Sequence, residues 1–125
     1  MPCATILDYG IGNLYSLKCS LERAGFKVTI TASPIGLGET DVMVFPGVGS
    51  FPTASHNLKP FKAKILDLID RGVAVLGVCL GMQLLFDESE EGGGEGLSVL
   101  RGRVVKLSSS VKVPHIGWNL SLIHI

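Results

Sequence analysis

Short apolar runs alternate along the chain with stretches whose apolar residues recur at helical spacing. Ala4-Thr5-Ile6-Leu7 predicts a first strand, and Asp8-Tyr9-Gly10-Ile11-Gly12-Asn13 a glycine-rich turn after it. Leu14, Leu17, Leu21 and Ala24 then share one helical face, with Gly25 placed as the cap. Lys27-Val28-Thr29-Ile30-Thr31 and Val42-Met43-Val44-Phe45 predict two more strands, the latter ended by Pro46-Gly47-Val48-Gly49. Leu58, Phe61, Ile65, Leu68 and Ile69 mark an amphipathic helix that Gly72 closes, and Val73-Ala74-Val75-Leu76 is a buried strand leading to Cys79. A helix is expected from Gly81 through Phe86, then an acidic, glycine-rich loop, Glu88 to Gly94, and short strands at 103–106 and 111–113. Ser108-Ser109-Ser110 is read as a turn.

Strands that alternate with single helices imply parallel pairing through right-handed crossovers, hence an α/β fold with a doubly wound, mostly parallel sheet. Ligands collect at the carboxyl ends of strands in such sheets. Three loops qualify, those after Leu7, Phe45 and Val78.

Composition narrows the reading. With 46% hydrophobic and 18% charged residues in 125, the chain is one well-filled globular domain rather than a disordered segment. Formal net charge is zero, so nothing in the balance calls for nucleic acid or an anionic membrane as partner. The apolar stretches are strand-sized and no signal sequence opens the chain, which leads to a cytoplasmic expectation. Cys3, Cys19 and Cys79 are odd in number and widely spaced, which fits reduced thiols and no metal site.

Among the three thiols Cys79 has the chemical context. Gly77-Val78-Cys79-Leu80-Gly81 joins a buried strand to a helix, and glycines two positions either side let neighbouring backbone approach a strained junction residue. The start of a helix also favours thiolate over thiol. A buried structural cysteine is the alternative, but it gives no purpose to the flanking glycines. Attack by Cys79 on a carbonyl would place charge on oxygen, and amides at Leu80 and near Val48 are the expected donors to it; an ordinary turn is the other reading of Pro46–Gly49. The first turn is a poor dinucleotide loop. Position 15, where a third glycine is needed, is Tyr15, and the second strand ends Thr31-Ala32-Ser33 without an acid. A tight turn with Asn13 capping the helix is the simpler account, and no cofactor is called for. A cysteine nucleophile also wants a base. His56, expected at a helix entrance, His115 in a turn-like stretch and His124 next to the end all lack that context, so the triad looks incomplete. The acidic run from Asp87 to Glu91 is a solvated helix end or offers one carboxylate to a substrate ammonium.

Taken together, Asp8-Tyr9-Gly10-Ile11-Gly12-Asn13-Leu14, Phe45-Pro46-Gly47-Val48-Gly49, Gly77 to Phe86 and Pro114-His115-Ile116-Gly117-Trp118-Asn119 resemble the class I glutamine amidotransferases, and within them the glutaminase subunits of imidazole glycerol phosphate synthase. The resemblance covers residues 4–119. It implies a flavodoxin-like sheet and glutamine hydrolysis to glutamate and ammonia through a thioester on Cys79, with Leu80 and Val48 amides at the oxyanion. Gly49, Gln83 and Glu91 fall at glutamine-binding positions. The ammonia would pass to a cyclase subunit with a (β/α)8 barrel, which makes imidazole glycerol phosphate and AICAR in histidine biosynthesis. Asn13, Trp118 and Asn119 are expected near that heterodimer interface. Members of the family continue to a His-Pro-Glu stretch that supplies the base and its carboxylate, which this sequence lacks. Residues 1–119 are therefore read as the N-terminal part of one amidotransferase domain, inactive alone. Residues 120–125 are read as a non-native tail: CTG-TCT-CTT-ATA-CAC-ATC would encode them, a string that resembles a transposon end used in sequencing-library adapters. Other readings are the glutaminase of a different synthase, a cysteine hydrolase sharing the elbow, and a noncatalytic binder of a cyclase-like barrel.

Overall fold

Four parallel strands set the frame: β1 (Cys3–Leu7), β2 (Lys27–Thr31), β3 (Val42–Phe45) and β4 (Ala74–Gly77), in the spatial order β2-β1-β3-β4. This computed structural model describes residues 1–119; the expected tail at 120–125, His124 included, lies outside the described residues. Side chains alternate across the sheet as strand geometry requires. Ala4, Ile6 and Val44 face α1 (Leu14–Arg23) and pack with Leu21, while Leu7, Met43 and Phe45 join the larger core on the other face. That core is filled by α2 (Phe51–Leu58) and α3 (Lys62–Asp70) through Phe51, Ala54, Leu58, Ile65 and Leu68. One helix on one face and two on the other is the doubly wound arrangement expected.

Local chemistry explains the helix ends. Asn13 Oδ1 accepts from the Ser16 N–H at 3.2 Å and caps α1, as its sequence position suggests. Beyond its end, Gly25 N–H reaches Glu22 C=O and Phe26 N–H reaches Leu21 C=O, a paired closure that needs the positive φ of 95° at Gly25. The same closure ends α3, with Gly72 on Ile69 and Val73 on Leu68.

Several expectations are corrected. The helix placed from Leu58 onward begins at Phe51, because Ser50 caps it through Thr53 N–H and Pro52 is harmless in a first turn. Pro60 sits in a short 3-10 turn, Lys59–Phe61, that separates α2 from α3. His56 consequently lies in the last turn of α2, exposed, not at a helix entrance. The helix expected through Phe86 is one turn long, α4 (Leu80–Gln83), because the chain folds back so that Leu84 and Leu85 carbonyls accept from Leu97 and Val99. The acidic loop is partly strand: β5 (Glu88–Ser89) pairs in parallel with β6 (Arg103–Val104). The 103–106 strand is cut to those two residues. Residues 111–113 form no strand and are exposed, since no strand among the described residues pairs with them.

Candidate active site

Parallel register puts Phe45 opposite Gly77, so the chain leaves β3 and β4 side by side and the loops Pro46–Gly49 and Val78–Leu80 run together at the carboxyl edge. The Val78 N–H donates to Phe45 C=O at 2.9 Å and extends the pairing by one step. The chain then reverses at Cys79, which adopts φ 53° and ψ −117°, a conformation costly to any residue with a Cβ. The turn is held because both flanking glycines are at van der Waals limits. A Cβ on Gly81 would lie 1.9 Å from Phe45 O, and one on Gly77 would lie 2.7 Å from Met82 Cα. Only glycine fits either place, and the strain at Cys79 is the consequence of that close packing.

The Cys79 side chain is exposed and lines a cleft of about 290 Å³ whose walls include Gly12, Asn13, Pro46, Gly47 and Val48. Three of the sequence-predicted residues, Cys79, Val48 and Asn13, therefore meet across three strand ends. The loop after β3 is packed tightly against the first turn, since a Cβ on Gly12 would lie 3.0 Å from Gly47 N.

Of the two amides expected as oxyanion donors, at Leu80 and Val48, the first is already bonded within the protein. Leu80 N–H donates to Gly47 C=O at 3.2 Å. The Gly47–Val48 peptide is trans, so its N–H points opposite to its C=O and away from Leu80. Rotation of that single peptide would free the Leu80 N–H and turn the Val48 N–H toward the same point. Glycine at 47 tolerates such a rotation.

Gln83 and Glu91 line a second cleft, of about 350 Å³, with Ser89, Glu90 and Lys106. Glu91 Oε2 also accepts from Phe51 N–H at 3.1 Å and so caps the first turn of α2. Glu90 Oε2 accepts from Lys106 N–H at 2.8 Å, which ties the loop to the segment after β6. Gly49 is exposed and lines neither cleft. Trp118 is fully exposed and Asn119 Nδ2 lies 3.4 Å from His115 Nε2; neither Trp118 nor Asn119 lines the Cys79 cleft. His56 and His115 do not line the Cys79 cleft either.

Sequence reasoning missed the polar work of Tyr9 and Asn57. The buried Tyr9 hydroxyl donates to Pro46 C=O, and Asn57 Nδ2 donates to Tyr9 C=O at 3.0 Å. The available signal was an aromatic residue with a polar tip inside a glycine-rich turn, which buries only when the tip finds a partner.

A strained cysteine at a strand-to-helix elbow, beside a glycine loop able to supply an amide, is a geometry for acyl transfer. The chain is similar to known proteins. The chain is 52% identical over 117 residues to the imidazole glycerol phosphate synthase subunit HisH of Sulfurisphaera tokodaii, covering 93% of this chain and 59% of that relative. It is 45% identical over 128 residues to the Bacillus subtilis subunit of the same name, with 95% and 60% coverage. The chain thus spans about three fifths of the length of these curated relatives. A solved structure described as a glutamine amidotransferase superposes with a TM-score of 0.73 at 19% identity, over 88% of this chain and 59% of that one, which supports the fold. Among the described residues no helix is long and apolar enough to cross a membrane. The family model for glutamine amidotransferase class-I matches residues 5–125, nearly the whole sequence, and the chain belongs to that family.

Proposed function

We propose that the chain carries the nucleophile of a glutaminase that feeds ammonia to a cyclase partner in imidazole glycerol phosphate synthase. The observation that carries this is Cys79, strained and exposed at a strand-to-helix elbow, in one cleft with Gly47 and Val48. Cys79 Sγ attacks the side-chain amide carbon of glutamine; the C–N bond breaks, the nitrogen takes a proton and leaves as ammonia, and a glutamyl thioester remains. Water then cleaves the thioester to glutamate and restores the thiol. Charge on the carbonyl oxygen in both steps would be met by the Leu80 and Val48 N–H groups, and the loss of one such donor typically costs about 3 kcal/mol in the transition state.

Gly49, Gln83 and Glu91 would hold the glutamine. Gln83 and Glu91 already share a cleft, with α4 joining it to Cys79. Asn13, on the rim of the Cys79 cleft, and the exposed Trp118 and Asn119 would face a (β/α)8 cyclase. No histidine lines the Cys79 cleft among the described residues, so the proton-transfer base would come from the part of the family's length that this chain does not span. The reaction is that of a cytoplasmic biosynthetic enzyme.

The test uses the complete reading frame with its cyclase. Glutamine should support product formation, and Cys79→Ala should abolish that while leaving synthesis from added ammonium salt intact. Glutamine-dependent synthesis that survives Cys79→Ala would overturn the assignment.

A further inference from the structure

The Tyr9 ring is core, with 4% of its surface exposed, yet its hydroxyl is bonded to the Pro46 carbonyl at the mouth of the candidate site. A phenol buried without a partner would lose its hydration uncompensated, and apolar filling alone would be served by phenylalanine. Burial pushes the Tyr9 ionisation well above the usual phenol range, so the group stays a donor. Its backbone is tied in turn, since Asn57 of α2 donates to Tyr9 C=O at 3.0 Å. Gly47 lies against the same hydroxyl: a Cβ there would sit 3.3 Å from Tyr9 Oη and 3.1 Å from Leu80 Cβ.

These contacts fix one side of the peptide that covers the Leu80 N–H. The Gly47–Val48 peptide can rotate about its two flanking bonds without displacing its neighbours only if those neighbours are held. On the strand side Phe45 C=O is bonded to Val78 N–H at 2.9 Å, and Pro46 C=O is bonded to Tyr9. On the other side Val48 and Gly49 are exposed and unencumbered by packing.

We propose that Tyr9 is a positioning residue for the oxyanion loop: its hydroxyl clamps the Pro46–Gly47 peptide, so that the rearrangement freeing Leu80 N–H is confined to the adjoining Gly47–Val48 peptide. The inference rests on the glutaminase reading of this site. Without the clamp the loop can drift as a whole, and the two amides no longer converge on one oxygen.

Tyr9→Phe keeps the ring and deletes the hydroxyl. In the full complex it should lower kcat for glutamine about tenfold with KM held within about twofold, the pattern of a donor lost in the transition state. Alkylation of Cys79 by iodoacetamide, a displacement at a saturated carbon that develops no oxyanion, should be unchanged. Exchange of the Leu80 amide hydrogen, which needs no turnover to be read, should quicken about tenfold as Gly47 C=O loosens. A kcat and an exchange rate both equal to wild type would overturn the clamp. So would an equal fall in kcat and alkylation, which would mark a general loss of packing. Absence of glutamine hydrolysis from the wild-type complex is a separate failure, that of the glutaminase reading, and it would remove the catalytic role of the clamp with it.

Discussion

At the scale of single residues the site is built on exclusions. The elbow exists because Gly81 lets its backbone lie against Phe45 O, where a Cβ would sit at 1.9 Å. Gly81→Ala must push two strands' loops apart and should destabilise the protein by about 3 kcal/mol, read as a lower urea midpoint. Cys79 is the opposite case. Its φ of 53° and ψ of −117° suit glycine, so Cys79→Gly should raise the unfolding free energy by about 1 kcal/mol while removing the thiol. A stability gain coupled to loss of the reactive group is the mark of strain kept for function; an unchanged or lower midpoint would mean the turn is relaxed. Much of this was legible beforehand, because Gly77-x-Cys79-x-Gly81 states the close approach directly in residue type. Tyr9 was not, since its partner is a backbone carbonyl 37 residues away that no local pattern reveals.

At the scale of elements, capping decides where helices start and side-chain carboxylates decide how loops close. Asn13→Ala removes the acceptor for Ser16 N–H and should cost about 1 kcal/mol, with α1 fraying first in amide exchange. Asp87 closes the loop after α4. Its carboxyl is held below the usual carboxylate range, first by the Gly102 N–H, then by Ser98 and the Arg101 charge, against some desolvation. A lowered folded-state pKa means the unfolded chain binds the extra proton as pH falls. The stability from Asp87 is therefore present above the ordinary aspartate range and lost as pH drops through the folded value. Asp87→Asn should flatten the acid limb of a stability-versus-pH curve, and an unaltered limb would show that the carboxylate bonds are not maintained in solution. The elements themselves were read well where periodicity ran long, as in α1 and the four main strands, except that β4, expected to be buried, is an edge strand with Ala74 and Leu76 exposed. They were misread where tertiary contacts prevailed: α4 stops after one turn because Leu84 and Leu85 carbonyls turn to the returning chain.

At the scale of the whole molecule, order is concentrated in the sheet and its three packed helices. Residues 105–119 are exposed throughout and contribute no side chain to either core cluster. Limited trypsin should therefore cut after Lys106 or Lys112 well before Lys64 in α3, as mass analysis of early fragments would show. Early cleavage within α3 would mean that the large core is not formed. The placement of Trp118 and Asn119 on this exposed segment is compatible with a surface offered to a partner, whereas the sequence signal for them came from resemblance and not from periodicity. Parallel pairing followed from strand and helix alternation, but the strand order and the meeting of Cys79, Val48 and Asn13 needed the assembled sheet.

In the proposed reaction Cys79 is a nucleophile aimed at glutamine. A chloroketone analogue of glutamine, added to the complete protein and followed by peptide mass analysis, tests it most directly. One adduct should form, on Cys79, with loss of chloride and at a rate slowed by free glutamine, with the half-buried Cys3 and Cys19 unlabelled. Labelling spread over all three thiols, or an adduct on Cys79 whose rate glutamine does not change, would contradict it.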